Sequence, residues 1–216
     1  MKTYKQLVNN ILIRLREREV DSINENSYSK LVGVFVHDAI EMIESAWNWS
    51  SLRETMTVTT QSGVFSYALT DFGTQSSVLD VINDTNNHFM TYETAHWFNN
   101  TFLNKSLAEG PPKYYSFNGI SQLGDTQIDL YPIPDGVYDL HFNVIKRTPN
   151  IRLDDDTVKV PFLPVQALAY AMALEERGED GGMSAVSAKA LSSVYLSDAI
   201  AIDASKHPEE LIWEAP

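Results

Sequence analysis

The side chains that most often do chemistry are few in this sequence and do not cluster. The chain contains five histidines and no cysteine. No two histidines are four residues apart, as in a zinc-binding helix, and the sequence HExxH does not occur. Without cysteine, the chain forms neither a disulfide nor a thiolate metal site and has no cysteine nucleophile. We interpret all five histidines as packed or surface side chains: they are His37, His88, His96, His141 and His207.

Carboxylates are plentiful, and the densest cluster is Asp154-Asp155-Asp156. Such a cluster can hold a hard cation, but an EF-hand also needs alternating oxygen ligands, a glycine and a closing glutamate, which are missing here. We interpret the cluster as a solvated turn. A glycosidase needs two carboxyl groups facing each other, and Glu54, Glu93 and Glu109 are more simply surface residues.

Sequence motifs for nucleophiles and phosphates are also absent. The chain has no GxSxG, no P-loop and no GxGxxG. Its glycine-rich stretch, residues 178–182, contains Glu179 and Asp180, which repel a phosphate. The sequence therefore predicts that the protein is not an enzyme and binds neither a metal nor a cofactor.

The charge balance restricts the partners of the chain. Its 29 acidic and 16 basic residues give a formal net charge of −13. This argues against a dedicated DNA-binding protein, which uses Lys and Arg to neutralise phosphates, and against docking on an anionic membrane. An acidic surface keeps a protein soluble and also repels nucleic acid that passes by. Residues 1–15 lack the apolar run of a signal peptide, so we expect a cytosolic protein.

The elements that position these residues begin with two amphipathic helices. Residues 4–16 form the first, with apolar residues at helical spacing. Ser27 is the predicted cap of the second, which ends near Trp47-Asn48-Trp49. The predicted buried stripe of the second helix consists of Leu31, Phe35, Ala39, Ile40, Ile43, Ala46 and Trp47.

After the second helix, apolar residues recur at every second position, which predicts a run of short strands. Met56 and Val58 alternate with polar residues, and Ser62-Gly63 is typical of a turn, which predicts a hairpin with the strand that follows. Asn118-Gly119 predicts another turn. The clearest strand has on one face Tyr138, Leu140, Phe142 and Val144. A short strand is expected at residues 158–160.

One short helix and two longer ones complete the prediction. A helix is expected at residues 91–103, and the residues that share one of its sides are Tyr92, Ala95, His96, Asn99 and Phe102. Residues 162–174 are apolar on nearly all sides, which is typical of a central helix. Ser184 is the predicted cap of the last helix, which runs to about Ala204. Its predicted buried side consists of Leu191, Val194, Tyr195, Ala201 and Ile202.

The order of elements predicts an α+β fold, a four-helix bundle with a β-rich domain inserted between helices 2 and 3 of the bundle. The first half of the bundle is expected at residues 1–49 and the inserted domain at 50–161. The second half of the bundle follows at 162–204, and a C-terminal tail occupies 205–216.

Three segments resemble one protein family. They are the opening helix with Glu19-Val20-Asp21-Ser22-Ile23, the helix that ends in Trp47-Asn48-Trp49, and the segment from Gly110-Pro111-Pro112 through Pro132-Ile133-Pro134-Asp135-Gly136 to Arg147. Together they cover most of the chain, and their order is similar to that in the head-to-tail adaptors of short-tailed bacteriophages, the tail tubular protein A type.

The resemblance implies a structural protein of the virion that is assembled in the host cytoplasm. Its partners would be the portal protein, further adaptor subunits in a dodecameric ring, and a tail or nozzle protein. Genomic DNA would pass through the lumen without specific binding, and no membrane would be involved. A phage cell-wall hydrolase and a generic soluble binding module are the alternatives. Two buried carboxylates facing each other in a cleft would favour the hydrolase.

The C-terminal tail is expected to hold the portal-binding residues. Beyond Pro208 it carries Leu211-Ile212-Trp213 between acidic residues. A disordered terminus is normally polar, so an apolar cluster with a tryptophan is typical of a segment that orders on a partner. Folding back on the chain's own bundle is the alternative. In the resembling family the C-terminal segment reaches the portal, which favours portal docking by Leu211, Ile212 and Trp213.

Overall fold

The computed structural model describes residues 1–73, 76–104, 106–122, 124–148, 151, 153–178 and 182–206. The fold is α+β, with two four-stranded sheets inserted in a helical framework. The helices are α1 (Tyr4–Arg14), α2 (Ser27–Ala46), α3 (Ala95–Asn104), α4 (Phe162–Arg177) and α5 (Met183–Ala204). The strands are β1 (Arg53–Thr59), β2 (Ser66–Leu69), β3 (Ser77–Asn83), β4 (His88–Phe89), β5 (Thr91–Tyr92), β6 (Tyr114–Ile120), β7 (Thr126–Tyr131) and β8 (Asp139–Ile145).

The described chain divides into two compact units. Of the residues that the structure describes, a helical unit contains Met1–Leu52 and those from Thr148 to Lys206, and a β-rich unit contains those within Arg53–Arg147. Helices α1, α2, α4 and α5 pack together in the helical unit. The predicted α+β class and the predicted insertion of strands between helical halves are confirmed.

The first two helices start at side-chain caps. Thr3 and Gln6 form a capping box on α1, which satisfies two backbone amides that the first turn leaves free. The cap of α2 is Asn26, which accepts a hydrogen bond from Ser29 N at 2.8 Å. The predicted cap, Ser27, is instead the first helical residue. The sequence Asn26-Ser27 offers two good capping residues, and propensity alone does not choose between them.

The buried stripe of α2 is rotated from the predicted one. Ala39, Ile40 and Ile43 are buried as predicted. Val32 and Val36 are buried as well, whereas Leu31 and Phe35 are half-buried and Ala46 and Trp47 are exposed. Gly33 also lies on the buried face of α2. A Cβ at this position would lie 2.9 Å from the Tyr4 hydroxyl of α1, so a larger side chain would push the end of the Tyr4 side chain aside.

Helices α4 and α5 pack through small side chains. Ala185, Ala188 and Ser192 are the buried residues of this stretch of α5, and the Ser192 hydroxyl donates to Pro164 O on α4 at 3.0 Å. The predicted buried side of α5 is wrong: Leu191, Val194, Ala201 and Ile202 are exposed and Tyr195 is half-buried. The predicted cap is also wrong, since α5 begins at Met183 after Gly182.

The β-rich unit consists of two sheets with strand orders β1-β8-β3-β4 and β2-β7-β6-β5. The predicted hairpin at Ser62-Gly63 is wrong, because β1 pairs with β8 and β2 pairs with β7. Thr60 lies where the chain leaves β1. It is fully buried, and its Oγ1 donates to Gly136 O at 3.0 Å and accepts from Tyr138 N at 2.9 Å. These bonds tie the chain to the segment before β8 where it leaves β1.

The core of the β-rich unit forms where the two sheets face each other. Leu140, Phe142 and Val144 of β8 are fully buried in it, as predicted. Asn118-Gly119, the predicted turn, lies within β6. The pairing of β6 with β7 shifts between Phe117 and Ile120, so this sequence forms a bulge. Gly119 has φ +83°, a left-handed conformation that glycine adopts without strain.

One helix and one strand differ from their predicted positions. The helix expected at 91–103 begins at Ala95, after the short strand β5, and buries Phe98 and Thr101 rather than the predicted side. Residues 158–160 form no strand. The neighbouring Thr157 makes an isolated bridge to Thr3, and the buried Val158 and Val160 pack as an extended segment.

Candidate functional site

The two buried carboxylates of the described chain, Glu44 and Asp203, lie in the helical unit, and both accept hydrogen bonds from backbone amides. Asp203 of α5 accepts hydrogen bonds from Ser50 N at 2.9 Å, from Trp47 Nε1 at 3.2 Å and from Lys206 Nζ at 3.0 Å. Burial favours the neutral acid, but the bonds from Ser50 and Lys206 outweigh burial and lower the pKa of Asp203 to about 2. A general acid needs the opposite shift.

Glu44 of α2 has a corresponding role on the other side of the insertion. Its carboxylate accepts hydrogen bonds from Thr148 N at 3.2 Å and from the Thr148 hydroxyl. Ser50 lies three residues before the first residue of the β-rich unit, and Thr148 directly follows its last residue. Both carboxylates are therefore anchors for backbone at the ends of the helical segments, and neither has the features of a hydrolytic acid.

Several of the other Asp and His side chains that were candidates for catalysis or metal binding make hydrogen bonds or ion pairs with other residues of their own unit. Asp154 Oδ1 accepts from Ile23 N at 3.2 Å, and Asp156 Oδ2 accepts from Leu153 N at 2.8 Å. The acidic turn therefore packs against the first helices and is only partly solvated. His37 lies 3.4 Å from Glu41, and His141 Nδ1 lies 3.2 Å from the Thr57 hydroxyl. Within the described residues, no three His, Cys, Asp or Glu side chains lie close enough to hold a metal.

An apolar groove of about 570 Å³ opens in the helical unit. Its floor contains the buried Trp49, Val158 and Val160. Its rim contains exposed apolar side chains, of which Leu163 and Ile202 leave 46% and 65% of their surface in solvent. A concave apolar surface with a few polar groups at its edge is the usual form of a binding site. The sequence did not predict it, because its walls come from four separate parts of the chain.

A second apolar surface is the outer face of α5, formed by Met183, Val186 and Val194, which are 77%, 67% and 55% exposed. The helix is also long and apolar enough to cross a membrane by length and composition. Its seam of small residues against α4 shows that it is built into the helical unit. An apolar face on a packed helix is typical of a surface that another protein covers.

The predicted portal-binding residues, Leu211, Ile212 and Trp213, lie outside the described residues, as does His207. Among the aromatic residues, Trp49 is buried and donates from Nε1 to Ile43 O at 2.8 Å. Of the adjacent pair Trp97-Phe98, Phe98 is buried and Trp97 is half-buried. Trp97 packs 5.1 Å from the Tyr114 ring.

These features define a class of protein. The α+β chain has an apolar groove and an apolar helix face, which are surfaces of the kind that partners cover. Residues 2–206 match the model of the family described as SU10 adaptor protein, and the chain belongs to this family of phage adaptor proteins. A search of the curated proteins finds no match.

Membership confirms the predicted phage adaptor and the predicted structural rather than catalytic role. It also implies that the chain binds other components of the virion. The match extends through α5 and stops at Lys206.

Proposed function

We propose that this protein is a subunit of a head-to-tail connector of the tail tubular protein A type, which forms a ring on the portal. Its membership of a phage adaptor family carries the proposal. The outer face of α5 supports it, because a soluble protein rarely leaves a row of large apolar side chains in water without a partner. We assign this face to a contact within the assembly.

The finer architecture belongs to the same proposal. The helical unit is a four-helix bundle, the β-rich unit is its inserted domain, and the predicted limits are 1–49, 50–161, 162–204 and 205–216. The subunits form a dodecameric ring, and a tail or nozzle protein binds at the far side from the portal. DNA passes through the lumen without specific contacts, since a net charge of −13 opposes phosphate binding.

Leu211, Ile212 and Trp213 are the proposed portal-binding residues. A tryptophan beside two aliphatic residues is a typical anchor, because it buries a large apolar area with few rotatable bonds. Acidic residues flank the cluster at Glu209, Glu210 and Glu214, which keeps it soluble before docking.

A truncation tests this assignment. Removing residues 207–216 retains Lys206, which donates to Asp203. We expect this truncation and Trp213→Ala to lose binding to purified portal rings in sedimentation, while both variants still unfold cooperatively. Removing only Ala215 and Pro216 is the matched control and should preserve binding. Binding that survives both variants would contradict the proposed anchor.

A further inference from the structure

The groove of the helical unit has the shape and chemistry to bind an apolar peptide. Trp49, Val158 and Val160 form its floor, and Phe162, Leu163 and Ile202 form its sides. Trp49 already satisfies its indole N–H by donating to Ile43 O, so it offers the groove only apolar surface. A segment with several large apolar side chains is the ligand that such a surface selects.

The rim of the groove has a basic character that is unusual for this acidic protein. Lys2 and Lys159 line it together with Lys206, which pairs with Asp203, and Asp198 is the one further acid in the lining. Lys2 Nζ lies 4.5 Å from the centre of the Phe162 ring, which places its charge at the mouth. The groove therefore favours a peptide that is apolar in the middle and acidic at its ends.

One segment of this chain has that composition and starts at the groove itself. Residues 207–216 contain Leu211-Ile212-Trp213 between Glu209-Glu210 and Glu214. They follow Lys206, which lines the groove. Residues Lys206 and Trp213 are separated by a stretch of chain that reaches at most about 25 Å when extended. A tether this short gives the segment a high effective concentration at the groove.

We propose that the groove is the binding site of Leu211-Ile212-Trp213 of the same chain in the free subunit. The portal then competes with the groove for this segment, a step that rests on the proposed function. Docking in the groove keeps the apolar cluster away from water and from other subunits until the portal is present. The glutamates of the segment pair with the lysines of the rim.

Fluorine NMR of protein labelled with fluorotryptophan tests the proposal directly. The signal of Trp213 is assigned by its loss in Trp213→Phe. We expect this signal to be insensitive to replacement of water by heavy water, as for a buried ring. The double variant Leu163→Gln and Ile202→Gln should move the signal to the position of a solvated tryptophan and restore its sensitivity to heavy water. Both substituted residues are half-exposed, so the fold is retained.

A matched control uses the other apolar surface. Val186→Gln with Val194→Gln changes two side chains of comparable exposure that do not line the groove, and we expect no change in the Trp213 signal. If Trp213 is solvated in the wild type, or if the control moves its signal as the groove variant does, the proposal is wrong. Protection that disappears on dilution would mean that a second copy supplies the segment and would also overturn it.

Adding portal rings separates this proposal from the proposed function. If both hold, the groove variant binds the portal more tightly than the wild type, because its segment is already free. A solvated Trp213 in the free subunit together with portal binding lost in Trp213→Ala would reject the groove and retain the portal contact. A buried Trp213 whose replacement leaves portal binding intact would reject the portal contact alone.

Discussion

Asp129 is a partly buried carboxyl group in the second sheet of the β-rich unit. It lies on β7 opposite Ser66 of β2 and Ser116 of β6. Burial raises its pKa, although hydrogen bonds from Ser66 and Asn118 oppose this. Among the atoms that the structure describes, Asp129 Oδ1 and the buried Ser116 hydroxyl make no hydrogen bond. The charged form of Asp129 is therefore destabilised in the folded state.

We expect Asp129→Asn to stabilise the β-rich unit at neutral pH, by at most about 1 kcal/mol because solvent screens a half-buried charge. A raised pKa in the folded state means that the wild type loses stability as pH rises from the unfolded value of about 3.9 through the folded value. The variant should lack this loss. Urea unfolding over a pH series measures it, and Glu109→Gln, at an exposed residue of the same unit, is the control. Lower stability of Asp129→Asn at neutral pH would contradict the prediction.

Asp203 is the opposite case, since its hydrogen bonds lower its pKa to about 2. We expect Asp203→Asn to cost about 1–3 kcal/mol at neutral pH, because an amide cannot accept all the bonds of the carboxylate. The carboxylate contributes its full stability above the unfolded pKa of about 3.9 and loses it as pH falls through the folded value. The deficit of the variant should therefore shrink towards pH of about 2.

The comparison of chemical unfolding at neutral and acid pH checks this prediction. Asp198→Asn, at an exposed position on the same helix, should have little effect at either pH. A deficit of Asp203→Asn that grows on acidification would show that the carboxylate is not the stabilising form.

Among the elements, α5 is held to α4 by small side chains, which leaves no room for larger ones. Ala185 is 1% exposed in this seam. We expect Ala185→Leu to destabilise the helical unit by about 1–3 kcal/mol through overpacking. Ala190→Leu, at an exposed position of the same helix, should change stability by less than about 0.5 kcal/mol. Thermal unfolding of both variants measures the difference, and equal melting temperatures would contradict the tight seam.

The same seam explains what the sequence could and could not predict. Large apolar residues at helical spacing located the helices, and they located the buried face of α1, where Leu7, Val8, Ile11 and Leu12 are buried. On α5 the same rule selected the wrong face, because the buried residues are alanine and serine and the large ones remain available for partners. Periodicity identifies a helix, whereas the size of the neighbouring side chains decides which face is buried.

The pairing of the strands and the position of the groove show a second limit of prediction from sequence. The alternation in β8 predicted its buried face correctly, but alternation does not specify which strands pair, and the partner of β1 is 80 or more residues away along the chain. The groove depends on Met1-Lys2, Trp49, residues 158–164 and the end of α5. No local pattern brings such distant segments together, so this candidate site required the structure.

For the whole molecule, the net charge of −13 predicts that assembly needs the portal. Like subunits repel one another until a template aligns them. Native mass spectrometry of the protein alone should show mostly small species, and addition of portal rings should produce a large complex. Raising the salt concentration should weaken this repulsion, since screening shortens the range of charge interactions. Stable rings without portal at low salt would contradict the prediction.

The pairing of β1 with β8 has a consequence for how proteins of this kind diversify. Arg53 and Ile145 are direct partners in the antiparallel pair, so the chain enters and leaves the β-rich unit about 5 Å apart. A gene segment encoding this unit can therefore be exchanged for another whose ends are equally close, or shortened to a turn, without altering the spacing that the helical unit must bridge.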